Sequence, residues 1–224
     1  MPTQKIIFFR TPWMNHYKGI TKDDIPQNGG SWVKENNDAH EAYNFTNCGR
    51  YYYGFAQPNR LDLSRIENTK EEFIDNTLVI FFSTKPGEGG QYIIGWYKNA
   101  TVYKFHQEIF HKNRKPKYKW YHAKAKTGNG YLVPSTDRLF ELPVRPGENN
   151  VWYGKEYLSK TQLEKILKYI QDPVGYFKKS VKTLKKPRQY DIEKRLKVEH
   201  AAMDAVWEHY SYLEYTLTDV SGKK

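Results

Sequence analysis

The amino-acid sequence predicts an α+β fold, a small β-barrel or sandwich followed by a C-terminal helical extension, and three observations carry that prediction. Seven or eight short apolar or alternating runs recur between turn residues as far as Leu142, the spacing of an all-β unit. After Pro146-Gly147 the apolar period changes from that of strands to that of helices. Charge changes there too: residues 165–197 hold eleven Lys or Arg against three acids, or +8 of the chain's +11. The expected organisation is a domain over residues 1–155, a basic helical linker over 156–188, and a helix and strand over 189–224.

Lys5 to Arg10 (KIIFFR) is an apolar run closed by Thr11-Pro12, hence a buried first strand. A loop with Trp13, His16 and Tyr17 follows. Residues 29–45 (GGSWVKENNDAHEAYNF) show neither helical nor strand periodicity and gather Ser, Asn, His and Trp behind a glycine pair. Loops carrying such groups on a rigid sheet are where binding sites form, although Asn-Asn-Asp is also ordinary turn chemistry. Tyr51–Phe55 and Leu61–Ile66 are short strands, and Thr77–Ser83 (TLVIFFS) is apolar throughout, as a central strand is. Gln91–Tyr103 (QYIIGWYKNATVY) is the strand around which the chain is organised, because Gly95 interrupts it just before Trp96, Tyr97, Lys98 and Asn99. A glycine inside a strand marks a bulge or a close approach.

Residues 104–117 form a basic connection, and Tyr118–Ala125, Tyr131–Val133 and Leu139–Leu142 continue the sheet. Ser159 caps a helix reaching Ile170, with Leu163, Ile166, Leu167 and Ile170 on one face. A second amphipathic helix covers residues 190–210, and 215–220 reads as the start of a strand.

Composition narrows the function classes. Aromatic residues make up 16% of the 224, with nineteen Tyr and six Trp, and the pI is near 9.4. Stacking faces combined with positive charge suit an anionic, aromatic partner, which is nucleic acid. The single cysteine, Cys48, excludes an internal disulfide and a cysteine zinc finger and fits a reducing compartment. The apolar run near the N-terminus is four residues long, too short for a signal peptide, and no later run approaches a membrane span. The expected location is the cytoplasm, away from membranes.

Catalytic and cofactor signatures are weak. His106, His111 and His122 lack an acidic or thiol ligand at metal spacing. Cys48 and Ser31 have His40 nearby but no nucleophile elbow. Asp191 and Glu193 point to different sides of a helix, and Gly87–Gly90 lacks the Lys-Ser/Thr of a phosphate loop. A binding module without cofactor is therefore expected. Its candidate base-binding groups are Ser31, Trp32, Asn36, Asn37, Trp96, Tyr97 and Asn99, and its candidate backbone contacts are Lys98, Lys112, Arg114, Lys115 and Lys117. Successive strand residues face opposite ways, so Trp96 and Tyr97 also fit an ordinary sheet with one ring in the core and one at the surface.

GGSWVKENNDAHEAYNF together with IIGWYKNATVY resembles the N-terminal domain of bacterial modification-dependent restriction proteins, related to EVE, YTH and PUA-like domains. The resemblance covers residues 5–155 and implies a small open β-barrel with flanking helices that flips a modified base into an aromatic cage. By position it implies Ser31-Trp32 as one cage wall and Trp96-Tyr97 as the other. The three asparagines are added on chemistry alone, since amides can pair with a base edge. Residues 190–221 resemble the opening helix and strand of the NO VEIN nuclease-like domain, whose carboxylates are expected beyond the Asp219-Val220-Ser221 stretch. The implied partner is DNA carrying a modified base, delivered to an attached nuclease, with RNA as the alternative ligand.

Overall fold

The computed structural model describes residues 4–143 and 149–177. The expected helix at 190–210 and strand at 215–220 lie outside the described residues. Contacts divide the chain into two compact units, Met1–Gln171 and Asp172–Lys224. The sheet and both cavities described below belong to the first.

Seven strands form one open, mostly antiparallel sheet: β1 (Ile6–Arg10), β2 (Tyr51–Gly54), β3 (Phe73–Lys85), β4 (Gly89–Glu108), β5 (Trp120–Lys126), β6 (Gly130–Leu132) and β7 (Val151–Trp152). Their order is β2-β5-β4-β3-β1-β7, with β6 pairing β4 outside that path. Only the β1–β3 pair is parallel. Among the described residues, α1 (Ser31–Asn36) lies between β1 and β2, and α2 (Gly154–Tyr157) and α3 (Lys160–Gln171) follow β7.

The apolar run of β3 is continuous because both of its faces are covered. Val79 and Phe81 join Ile7, Phe9, Tyr97 and Val102 in the main core. Leu78, Ile80 and Phe82 are equally buried, and Phe82 meets Phe8 edge-on at 6.4 Å. Burying a side chain of this size contributes roughly 1.5–3 kcal/mol each. On Trp96's side of the sheet, α3 lays Tyr169 edge-on against the indole at 5.8 Å and stacks the same ring on Phe140 at 4.7 Å. The helix that composition placed in a linker thus packs on the sheet and falls within the first compact unit, Met1–Gln171. Its start is the capping pair expected at Ser159, whose Oγ accepts from the Gln162 N–H while Gln162 Oε1 accepts from the Ser159 N–H.

Gly95 does both things a strand glycine signals. An extra residue, Ile94, bulges β4 between the Phe81–Gly95 and Phe82–Ile93 pairs, and a Cβ at Gly95 would lie 2.5 Å from the Tyr131 carbonyl of β6. Two further bulges place Asn76 and Asn99 in the left-handed region, at φ 56° and 49°, which asparagine tolerates better than most residues.

Two expected strands are absent from the described fold. Leu61–Ile66 is instead a 3-10 turn over Leu63–Arg65, because Asp62 accepts hydrogen bonds from the Ser64 N–H and hydroxyl and curls the chain. Leu139–Leu142 keeps a single bridge, Tyr92 to Glu141.

Candidate functional site

The stretch from Gly29 to Phe45, read from sequence as irregular, contains the short helix α1 and a 3-10 turn at His40–Tyr43. Neither is long enough to display a period. Asn44 fixes the turn to the sheet: its side chain accepts from the Phe55 N–H at 2.8 Å, and its carbonyl accepts from the Tyr97 hydroxyl. The turn in turn feeds two cavities, giving Glu41 to one and Tyr43 to the other.

The first cavity, of about 340 Å³, is polar. Gly29, Gly30 and Val33 form one wall, and Arg10, Thr11, Gln57, Asn150 and Glu41 supply polar groups. A Cβ on Gly30 would meet no atom within 4 Å, so the glycine leaves open space at that wall. The Asn150 amide donates to the Gln57 side-chain carbonyl, and Asn28 reaches the Thr84 carbonyl. Glu41 is only 4% exposed. Burial pushes its carboxyl up to about 7, Asp38 adds to the rise, and its own backbone N–H opposes it.

The second cavity, of about 630 Å³, lies between the Lys18–Thr21 loop and the Phe110–Pro116 connection. Lys18, Lys112 and Lys115 are exposed on it, Phe110 stands 68% exposed, and Tyr43 and Arg114 are buried members of its wall. A cationic rim with an exposed aromatic face can neutralise phosphates and stack a ring.

The expected aromatic cage does not assemble as the sequence reading placed it. Tyr97 is fully buried in the main core, parallel to Tyr52 at 5.9 Å, with burial raising its hydroxyl well above the usual range. Trp96, 2% exposed, faces the other side of the sheet, stacked on Tyr131 at 4.7 Å. Strand alternation sends these neighbours to opposite faces, both filled. Ser31 and Trp32 open α1 directly after the cavity glycines, and their side chains lie outside the described residues. Asn36 and Asn37 are exposed at the end of α1, where Asn37 takes φ 50° and its N–H donates to the Val33 carbonyl. Asn99 serves a bulge, with the exposed Lys98 beside it.

The backbone contacts divide likewise. Arg114 is 3% exposed and donates to the carbonyls of Tyr118, Tyr53 and Trp120, so it pins β2 and β5 together and is not a surface cation. Lys117 is exposed but holds Asp38 at 2.7 Å, and the Asp38 carboxylate also accepts from the Tyr118 hydroxyl. Lys112 and Lys115 remain as exposed cations on the larger cavity.

Sequence reasoning missed Glu41, Arg10, Gln57 and Asn150. For Glu41 a signal existed: an acid set among Ala39, Ala42, Tyr43 and Phe45, all of which are buried. Comparison with known proteins identifies no relative, since no family model, curated protein or solved structure matches the chain. Among the described residues no helix is long and apolar enough to cross a membrane.

Proposed function

We propose that the chain is a nucleic-acid-binding module that holds one extrahelical base in the Gly29–Gly30 cavity while cations of the larger cavity hold the backbone. The observation that carries this reading is the polar cavity of about 340 Å³, separated by one 3-10 turn from a lysine-rimmed cavity with an exposed phenyl ring. Its size falls within the range of small-ligand pockets, about 300–1,000 Å³, and its amides and carboxyl suit a hydrogen-bonding ring. The ligand we favour is duplex DNA carrying a modified base, flipped from the stack. The module itself is not an enzyme in this reading, and it serves a modification-dependent restriction system by directing an attached nuclease. We further read the open sheet as the opened barrel of an EVE- or PUA-like domain. The mixed β1–β3–β4 centre and the short helices α1 and α2 support that reading.

The test is fluorescence anisotropy with duplexes that differ only in one central base: cytosine, 5-methylcytosine, 5-hydroxymethylcytosine or N6-methyladenine. One modified duplex is expected to bind more tightly than its unmodified counterpart, and Gly30→Phe, which adds a ring at an open wall, is expected to abolish the difference. Equal affinity for all duplexes, unchanged in Gly30→Phe, contradicts the reading. Single-stranded RNA outcompeting every duplex would assign the site to RNA instead.

A further inference from the structure

We propose that the larger cavity is a subsite for one unpaired nucleotide. Its base stacks on Phe110, and its phosphate sits between Lys18 on one wall and Lys112 and Lys115 on the other. The inference rests on the proposal that the chain binds nucleic acid, but not on what enters the Gly29–Gly30 cavity. It adds the class of ligand that this second site selects, which is DNA with a base already out of the duplex.

Charge is the first observation behind it. Lys18, Lys112, Lys115 and Arg114 line the cavity, and no carboxylate does. Among the described residues none of the four is in an ion pair. Arg114 is buried against carbonyls, which leave its charge uncompensated, so it adds to the positive field of the three exposed lysines. The second observation is a stacking surface: Phe110 is 68% exposed, and Glu108, two residues before it, has its charge matched by Lys119 at 3.0 Å. The third is that both walls are held. The Arg114 N–H donates to the His111 carbonyl at 2.9 Å, closing a turn that the Asn113 amide ties to the Asn47 carbonyl at 2.8 Å. Opposite, the Gly19 N–H donates to the Ala42 carbonyl at 2.9 Å, and Gly19 takes φ 103°. A Cβ there would lie 3.0 Å from the Tyr43 ring, which is itself stacked on Tyr118 at 4.6 Å. Walls fixed in advance lose little entropy when a ligand enters.

A nucleotide joins the two chemistries that these walls complement, an anion and a flat ring. The volume of about 630 Å³ lies within the range of small-ligand pockets, about 300–1,000 Å³. Lysines neutralise a phosphate whatever base it carries. The Asn113 N–H donates to His111 Nδ1 at 3.2 Å, which puts the proton of the neutral imidazole on Nε2 as a further donor at the cavity. A phenyl ring stacks any base and has no group that hydrogen-bonds a base edge. The subsite therefore registers that a base is unpaired, not which base it is. In a fully paired duplex the bases stack on one another and only the lysines act.

The experiment compares a fully paired duplex with the same duplex carrying a short central bubble of T·T mismatches, by fluorescence anisotropy on the full chain. Gly30→Phe is the reference protein, because blocking the smaller cavity removes any preference that arises there. It should bind the bubble at least about fivefold more tightly than the duplex, the low end of what stacking one base contributes. Adding Phe110→Ala should abolish that preference, and Phe110→Trp should keep it. A bubble built of abasic nucleotides retains the phosphates without the rings, and it should bind Gly30→Phe about as the paired duplex does. Lys18→Ala should lower the salt slope for the T·T bubble by about 0.7. A bubble preference that is absent in folded Gly30→Phe, survives Phe110→Ala or is matched by the abasic bubble overturns the proposal. An unchanged salt slope in Lys18→Ala overturns the two-walled grip on the phosphate. Should Gly30→Phe fail to fold, Phe110→Ala is compared with wild type, and an unchanged bubble preference overturns the proposal. Wild-type protein that binds neither DNA overturns the nucleic-acid reading, and this inference with it, whereas equal binding of both overturns only the subsite.

Discussion

Replacing Arg114 separates structural cations from binding ones. Its guanidinium is buried and donates to three carbonyls, with Tyr53 at 2.9 Å and Trp120 at 3.0 Å. Arg114→Met keeps much of the stem's volume but leaves three buried acceptors without their donor. Each such loss costs about 1–3 kcal/mol. Relief from burying the charge, which lowers the guanidinium's proton affinity here, offsets part of that sum, leaving a net of about 3 kcal/mol. For a domain of this size, about 2–4 °C of melting temperature accompanies each kcal/mol, so a fall of about 6–12 °C is expected. Thermal unfolding by circular dichroism, with Lys112→Ala and Lys115→Ala alongside, makes the comparison: the lysine variants should melt within about 2 °C of wild type. An Arg114→Met protein that melts like wild type yet loses DNA binding would refute the clamp and return Arg114 to the nucleic-acid surface.

Other expectations follow from the same geometry. His122 is fully buried and its imidazolium is disfavoured, first by burial and then by His106 at 4.0 Å, to about 3. An unfolded histidine titrates near ~6.5, so the unfolded chain binds the extra proton and stability declines as pH falls below that value, by about 1.4 kcal/mol per unit. Urea midpoints at pH 7.5 and 5.0 should therefore differ more in wild type than in His122→Gln, and equal differences would exclude His122 as the source. Gly95→Ala puts a methyl 2.5 Å from a backbone oxygen and 2.6 Å from the Phe45 ring, whereas Gly128→Ala meets nothing within 4 Å. The first should cost about 2 kcal/mol or more and the second almost nothing in the same denaturant titration. Joint replacement of Lys112 and Lys115 by alanine should reduce the salt slope of DNA binding by about 2 without changing stability, whereas Lys117→Ala, losing a lysine already tied to Asp38, should reduce it less.

Much of the scaffold was legible in the sequence. Apolar runs located β1 to β6 to within a few residues, Gly95 announced its bulge, and Ser159 marked the start of α3. Where local chemistry competed with apolar content the reading failed, as at Leu63–Arg65, where Asp62 curls the chain. The site was less legible because its determinants are tertiary. In sequence Arg114 is one more cation among lysines, and only the three carbonyls around it make it a clamp. Trp96 and Tyr97 carried the right chemistry for a cage, but β6 and α3 cover the first and the main core encloses the second. Glu41 lies in a stretch whose residues show no period. Its significance comes from a 3-10 turn that aims it into a cavity built from β1, the glycine pair, Gln57 and Asn150.

The central claim is that a base leaves its stack and enters the cavity beside Gly30. The most direct measurement is the emission of 2-aminopurine placed at the central position of a duplex, since this base is quenched by stacking. Titration with the wild-type protein should raise the emission at saturation, and titration with Gly30→Phe, at protein concentrations that saturate binding, should leave it flat. Saturable binding by the wild-type protein without any rise in emission would contradict the account.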